Sequence, residues 1–173
     1  MCICMFATFV IANMELDRLD KAQISLQPCT DVDLAKYQPC LNSKALLAKY
    51  HPLILNDYIP ISVYGNGNCL FRSVSLCLYG SEEHHEELGA RAALEIAMHH
   101  PLYDHKHPDY CALFKNDIVS PADLCISVVV SGHYADDSMC ILALSSVVGQ
   151  RIQMSRGLGK TCCYPLLDGP AVK

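Results

Sequence analysis

Apolar and polar positions recur with a helical period through the middle of the chain. Between Cys69 and Leu78, the apolar residues Leu70, Val74, Cys77 and Leu78 fall at the three- and four-residue intervals of one helix face, with Phe71 beside them. Gly80 follows as a stop, because a residue without Cβ enters the left-handed conformation at little cost. Ser81 then suits an N-cap, and Glu82 and Glu83 complement the positive end of a second helix dipole. This second helix is predicted to reach about His99 and to stop before Pro101, with Ala90, Leu94 and Met98 on one face. Asp136 to Val148 is mostly apolar and predicts a buried helix closed by Gly149.

The remaining pattern is weaker. Ser43 to Tyr50 reads as a short helix, with Ala45, Leu46 and Ala48 available to pack. Ile61 to Tyr64 and Arg151 to Ser155 read as strands. Ser120-Pro121 can start a helix, but Cys125 to Val130 is β-branched, so helix and strand compete there. Residues 13–42, interrupted by Pro28 and Pro39, read as irregular, and Leu102 to Lys115 is polar without a clean period. From Arg156 onward, Gly157, Gly159, Pro165, Gly169 and Pro170 indicate loop. These elements predict an α+β domain at residues 43–155, with a small central sheet flanked by helices. An extension, 1–42, precedes it, and a loop-like tail, 156–173, follows.

Composition narrows the possible functions. The chain has 173 residues, 51% of them apolar, enough for one domain with a substantial core. The net charge is -5, and the thirteen Lys and Arg are scattered, so nucleic-acid binding has little electrostatic support. Met1 to Ala12 is apolar but too short to span a bilayer and has no basic flank; it reads as a hydrophobic helix start continuing through Leu16 and Leu19. No other segment reads as membrane-spanning. Eleven cysteines would suit a disulfide scaffold, but the count is odd and no C-x-x-C pair occurs. Cys77, Cys111, Cys125 and Cys140 lie in apolar runs. Buried free thiols in a reducing compartment, cytosol or nucleus, are expected.

One segment carries chemistry. In Tyr64-Gly65-Asn66-Gly67-Asn68-Cys69-Leu70-Phe71-Arg72, a flexible turn delivers a cysteine to the first turn of a helix. Unpaired N–H groups and the helix dipole favour the thiolate there, which is the nucleophilic form. Small glycines let neighbouring N–H groups point toward a developing oxyanion.

Gly65-Asn66-Gly67-Asn68-Cys69-Leu70-Phe71-Arg72 resembles the signature of the OTU (ovarian tumour) cysteine protease family, Asp-Gly-Asn-Cys followed by an apolar residue, Phe and a helix. Tyr79-Gly80-Ser81 and the helix through Leu88 and Arg91 are similar to the family's second helix. Asp136 to Ile152, with Leu142-Ala143-Leu144-Ser145 near its middle, is similar to a later helix and the strand it feeds. The resemblance spans roughly residues 50–155 and looks closest to the vertnin-like, transposon-associated branch. It implies a deubiquitinase-type thiol hydrolase fold acting on ubiquitin or a ubiquitin-like partner. Cys69 matches the nucleophile. Asn66 takes the place of the family's Asp, in the loop that helps form the oxyanion hole.

The family's catalytic histidine would lie beyond Arg151–Ser155, followed by an aromatic residue, and this chain has no histidine after Ile152. A cysteine nucleophile needs an imidazole to take its proton and later protonate the leaving amine, so little turnover is expected. His133-Tyr134, oriented by Asp136 or Asp137, is a candidate replacement, although it precedes the Leu142–Ser145 helix. The alternatives are a non-catalytic OTU-like binding module, or a fragment of a mobile-element-derived protein, suggested by the composition break after Gln153.

Other clusters rank lower. His84, His85, His99, His100, His105 and His107 lie near Cys111, but adjacent His pairs diverge on a helix and the cluster lacks a matching Cys pair. Gly157-Leu158-Gly159-Lys160-Thr161 resembles the end of a phosphate loop but has Met154 where the motif needs glycine. Cys162-Cys163 reads as incidental, and Glu82, Glu83, Glu86 and Glu87 as a solvated helix start. No cofactor or metal is expected.

Overall fold

The computed structural model describes residues 35–50, 52–103, 123, 138–150, 152–155 and 161–163. The described chain runs α1 (Leu41–Tyr50), α2 (Ile54–Asp57), α3 (Cys69–Tyr79), α4 (His85–Met98), a 3-10 turn (His100–Tyr103), α5 (Ser138–Val148), β1 (Gln153–Ser155) and β2 (Thr161–Cys163). Met1–Ala12, Cys125–Val130, His133, Asp136 and Asp137 lie outside the described residues, as do His105, His107 and Cys111.

Helix α4 is the centre of the core and packs against both α5 and α3. Apart from Arg91, every residue from Glu87 to Ala97 is buried, so this helix has no broad solvent face. Gly89, Ala90, Ala92, Ala93 and Ala97 keep its surface low, which lets neighbouring helices approach closely. Helix α5 supplies Met139 to Leu144, all buried, and Phe71 and Leu78 of α3 complete the cluster. The hydroxyls of Ser145 and Ser146 both donate to the Leu142 carbonyl, at 2.8 and 3.1 Å, which satisfies two buried polar groups inside α5.

Both expected glycine stops are present. Gly80 has φ 70° and donates its N–H to the Leu76 carbonyl. Gly149 has φ 66° and donates to the Ser146 carbonyl at 3.3 Å. The start of α4 differs from the expectation. It begins at His85, and Ser81 is not its N-cap. Ser75, fully buried on α3, fills that role across space: its hydroxyl accepts the His84 N–H at 3.2 Å and donates to the Ser81 carbonyl at 2.6 Å. The inward face of α3 is therefore Phe71, Ser75, Leu76 and Leu78, with Leu70 and Val74 half-buried, while Cys77 is exposed. Cys140 is buried as expected. Met98 faces outward because α4 ends there and the chain turns.

The expected α+β class, with a small central sheet flanked by helices, is wrong for the described residues, which are helical. Ile61 makes only an isolated antiparallel bridge with Pro39. Cys40 donates to the Pro60 carbonyl and Ser62 to the Gln38 carbonyl, but Pro39 and Pro60 have no N–H with which to extend a ladder. The strand at the chain's far end exists as β1, but its partner is β2, in a stretch read as loop. Gln153 pairs with Cys163 and Ser155 with Thr161, in antiparallel register. Helix α1 buries none of its residues, so Ala45, Leu46 and Ala48 do not pack as expected.

A buried polar cluster sits where periodicity reads only core. Glu95 of α4 is 1% exposed. The Tyr103 hydroxyl donates to its Oε1 at 3.2 Å, and His99 Nδ1 lies 3.1 Å from its Oε2. The Tyr103 bond ties the 3-10 turn back onto α4, while Glu95 Oε2 and His99 Nδ1 face each other, both buried, without hydrogen-bond geometry.

Replacing Ser75 with Ala leaves the His84 N–H unsatisfied in a part-buried position. It should lower stability by about 1–3 kcal/mol. Urea denaturation measures this; an unchanged midpoint would show that Ser75 does not cap α4.

Candidate active site

The site is built on the loop before α3. Gly65 has no atoms within 4 Å of where a Cβ would stand, so packing does not hold the loop there. Gly67 has φ 88°, a conformation that L side chains strongly disfavour, and this turns the chain toward α3. Asn68 occupies the N-cap position and is buried, but its side chain makes no cap hydrogen bond. Cys69 is the first residue of α3 and is half-buried. The first N–H groups of a helix have no intrahelical partner, so the thiol stands beside unpaired backbone donors. The Ser73 hydroxyl donates to the Cys69 carbonyl at 2.7 Å and stiffens this turn.

Asn66 lies in this loop, three residues before Cys69. Its Oδ1 accepts the Asn68 N–H at 3.3 Å, closing a short side-chain turn, and accepts Arg72 Nε at 3.2 Å. A carboxylate in its place would turn the second bond, already charge-assisted by the guanidinium, into an ion pair. Arg72 belongs to α3, one turn after Cys69. Its guanidinium lies 5.4 Å from the Tyr64 ring centroid, and Nη1 is 3.3 Å from Glu82 Oε2. The same Glu82 oxygen accepts the Tyr64 N–H at 3.3 Å, and the Glu82 N–H donates to the Tyr37 hydroxyl at 3.2 Å. The Arg72 and Glu82 side chains are only 15% and 16% exposed, so water screens their pairing less than at an open surface. Together with Tyr37, His85 and Glu86 they line an open cleft of ≈ 480 Å³.

Sequence reading missed Arg72, Glu82, Tyr64 and Tyr37 as a group. Glu82 was expected to face solvent at a helix start. The usable signal is an arginine one turn past the cysteine and a carboxylate just past the glycine stop. Glu87 also departs from the solvated reading: it is buried and accepts Arg91 Nε at 2.8 Å.

Asn66 and Cys69 lie three residues apart across the loop and the start of α3, and Asn66 bonds Asn68 and Arg72; His133, the candidate base, lies outside the described residues. Each of three described histidines has a local partner elsewhere. His84 meets the Tyr79 ring edge-on at 4.6 Å, the His85 Nδ1 is 2.8 Å from the Glu82 carbonyl, and His99 is paired with Glu95. Among the described residues, no group of three His, Cys, Asp or Glu side chains is arranged to hold a metal ion.

The loop, the cysteine and the two following helices fall within the one comparison that matches. Residues 60–121 match the family model described as Vertnin, OTU domain. The match supports an OTU-like domain of the vertnin branch over these residues. No curated protein and no solved structure matches the chain. In this OTU-like domain the glycine turn and Cys69 both lie inside the matched residues, near their start. Among the described residues, no helix is long and apolar enough to cross a membrane.

Other thiols compete with Cys69 for electrophiles. Cys40 stands at the start of α1, where the Ser43 hydroxyl, then the backbone N–H groups of Ser43 and Asn42, lower its pKa. Cys77 is exposed as a residue, but neighbouring atoms of the protein partly desolvate its thiol and raise its pKa. At neutral pH, where thiolate fraction sets the rate, iodoacetamide should therefore alkylate Cys40 faster than Cys77. Ser43→Ala should slow Cys40 and move its alkylation midpoint to higher pH. Peptide mapping reads both rates; equal rates, or indifference to Ser43→Ala, would contradict the assignment.

Proposed function

We propose that the OTU-like domain is a ubiquitin-directed thiol hydrolase scaffold of the cytosol or nucleus, with Cys69 as its nucleophile and with weak turnover. The observation that supports this best is the half-buried Cys69 thiol at the first turn of α3, behind a glycine turn, inside the stretch that matches the OTU-like family. On this reading the domain occupies residues 43–155.

The chemistry follows from the thiol's surroundings. The Cys69 sulfur attacks the carbonyl that joins the C-terminal residue of ubiquitin, or of a ubiquitin-like protein, to a lysine amine. A C–S bond forms, and the carbonyl oxygen gains negative charge. Backbone N–H groups at the start of α3, and those of the loop other than the Asn68 N–H that Asn66 Oδ1 already holds, supply donors for that charge. The C–N bond then breaks as the amine takes a proton, and water later releases the acyl group from sulfur.

The amine cannot leave unprotonated, and a positioned acid–base group typically contributes about 10²- to 10⁴-fold to such a step. The chain's last histidine is His133, with Asp136 and Asp137 near it in sequence. His133 is the one candidate base on this reading. The lack of a histidine in residues 134–173 favours a second reading, in which the domain binds ubiquitin without cleaving it.

A ubiquitin probe carrying a C-terminal electrophile separates these readings. The hydrolase scaffold predicts a covalent adduct at Cys69, mapped by peptide mass spectrometry and abolished by Cys69→Ala. Diubiquitin cleavage should be slow, and His133→Ala should reduce it further. Reversible ubiquitin binding with no adduct at Cys69 would support the binding module. Neither adduct nor binding would overturn both.

A further inference from the structure

We propose that Arg72 and Glu82 are positioning residues that clamp the loop in front of Cys69. The proposal deepens the reading of Cys69 as a nucleophile and rests on it for its functional meaning. The loop itself needs a clamp. Gly65 has open space around it, and Gly67 has the conformational freedom of a residue without Cβ. Neither packing nor a side-chain cap from Asn68 fixes the loop.

One ion pair holds it at two points. Arg72 Nε takes Asn66 Oδ1 at 3.2 Å, in the middle of the loop. Glu82 Oε2 takes the Tyr64 N–H at 3.3 Å, at its start, and the Arg72 guanidinium covers the Tyr64 ring. The 3.3 Å pairing of Arg72 Nη1 with that same Oε2 joins the two points. The Tyr37 hydroxyl then anchors the backbone of Glu82 from a distant part of the chain. The guanidinium serves two acceptors and a ring face at once. A lysine ammonium offers no planar fork for this arrangement. The sulfur is carried by α3; the clamp fixes the N–H groups of the loop that lies beside it.

The test uses the full chain and two site-resolved readouts, amide hydrogen exchange of residues 64–68 and the pH profile of iodoacetamide alkylation at Cys69. Arg72→Ala, Arg72→Lys and Glu82→Gln should each speed exchange in the loop by roughly tenfold or more while exchange within α4 is kept. Each should also shift the Cys69 alkylation profile. In Glu82→Ala, adding Asn66→Asp gives Arg72 a new charged partner and should return loop exchange toward the parent rate. Glu82→Gln keeps the side chain's shape and guards against a folding failure in Arg72→Ala. Unchanged loop exchange and an unchanged Cys69 profile in all variants would overturn the clamp. So would loss of protection spread evenly through α4, which would show a merely structural role. The ubiquitin probe distinguishes the parent reading. A chain whose loop responds as described, but whose Cys69 ignores the probe, retains the clamp and loses the hydrolase assignment.

Discussion

Phe71, Ser75 and Leu78 seat α3 against α4, and the position of Cys69 follows from that contact. Phe71 is buried in the common core, two residues from the thiol. Ser75 binds both ends of the intervening turn, at Ser81 just after α3 and at His84 just before α4. Because α4 is itself enclosed by α5, α3 has little freedom to slide or rotate. A cysteine at the first residue of such a helix is held in place by core packing, even though the loop before it is made of glycine and asparagine.

The division of labour between packing and polar bonds explains the charged residues around the site. Core contacts fix the helix that carries the sulfur. They do not reach the loop at Gly65. There the Arg72–Glu82 pair takes over, and its shielding from solvent gives it more influence than an exposed pair of the same length. Asn66 connects the two systems, since the same Oδ1 accepts from the loop backbone and from Arg72. An aspartate in that position would strengthen the tie, so asparagine leaves the loop held by a neutral acceptor.

Local signals in the sequence were legible where one residue decides the outcome. Gly80 and Gly149 end helices because they accept positive φ, and Cys69 starts one after the glycine turn. The inward face of α3 was misread because hydrophobicity alone favours Cys77 over Ser75, whereas the hydroxyl is needed inside to cap α4. Glu95 was invisible to periodicity because its burial depends on Tyr103 and His99, which only the turn after α4 brings back to it. The expected strand at Ile61–Tyr64 failed for the opposite reason, since Pro39 and Pro60 remove the donors a ladder requires. At the chain's far end, glycines that read as loop lie between two strands, a place where turn-forming residues belong equally well.

Cys69 acting as a nucleophile presented at a helix start is the proposal on which the chemistry of the domain rests. The most direct measurement is a crystal structure of the chain after reaction with ubiquitin bearing a C-terminal electrophile. It should show continuous density from the Cys69 sulfur to the ubiquitin C-terminus, with the adjacent carbonyl oxygen within hydrogen-bonding distance of N–H groups at the start of α3. Density joined to Cys40 instead, or a Cys69 adduct whose carbonyl points away from those donors, would contradict it.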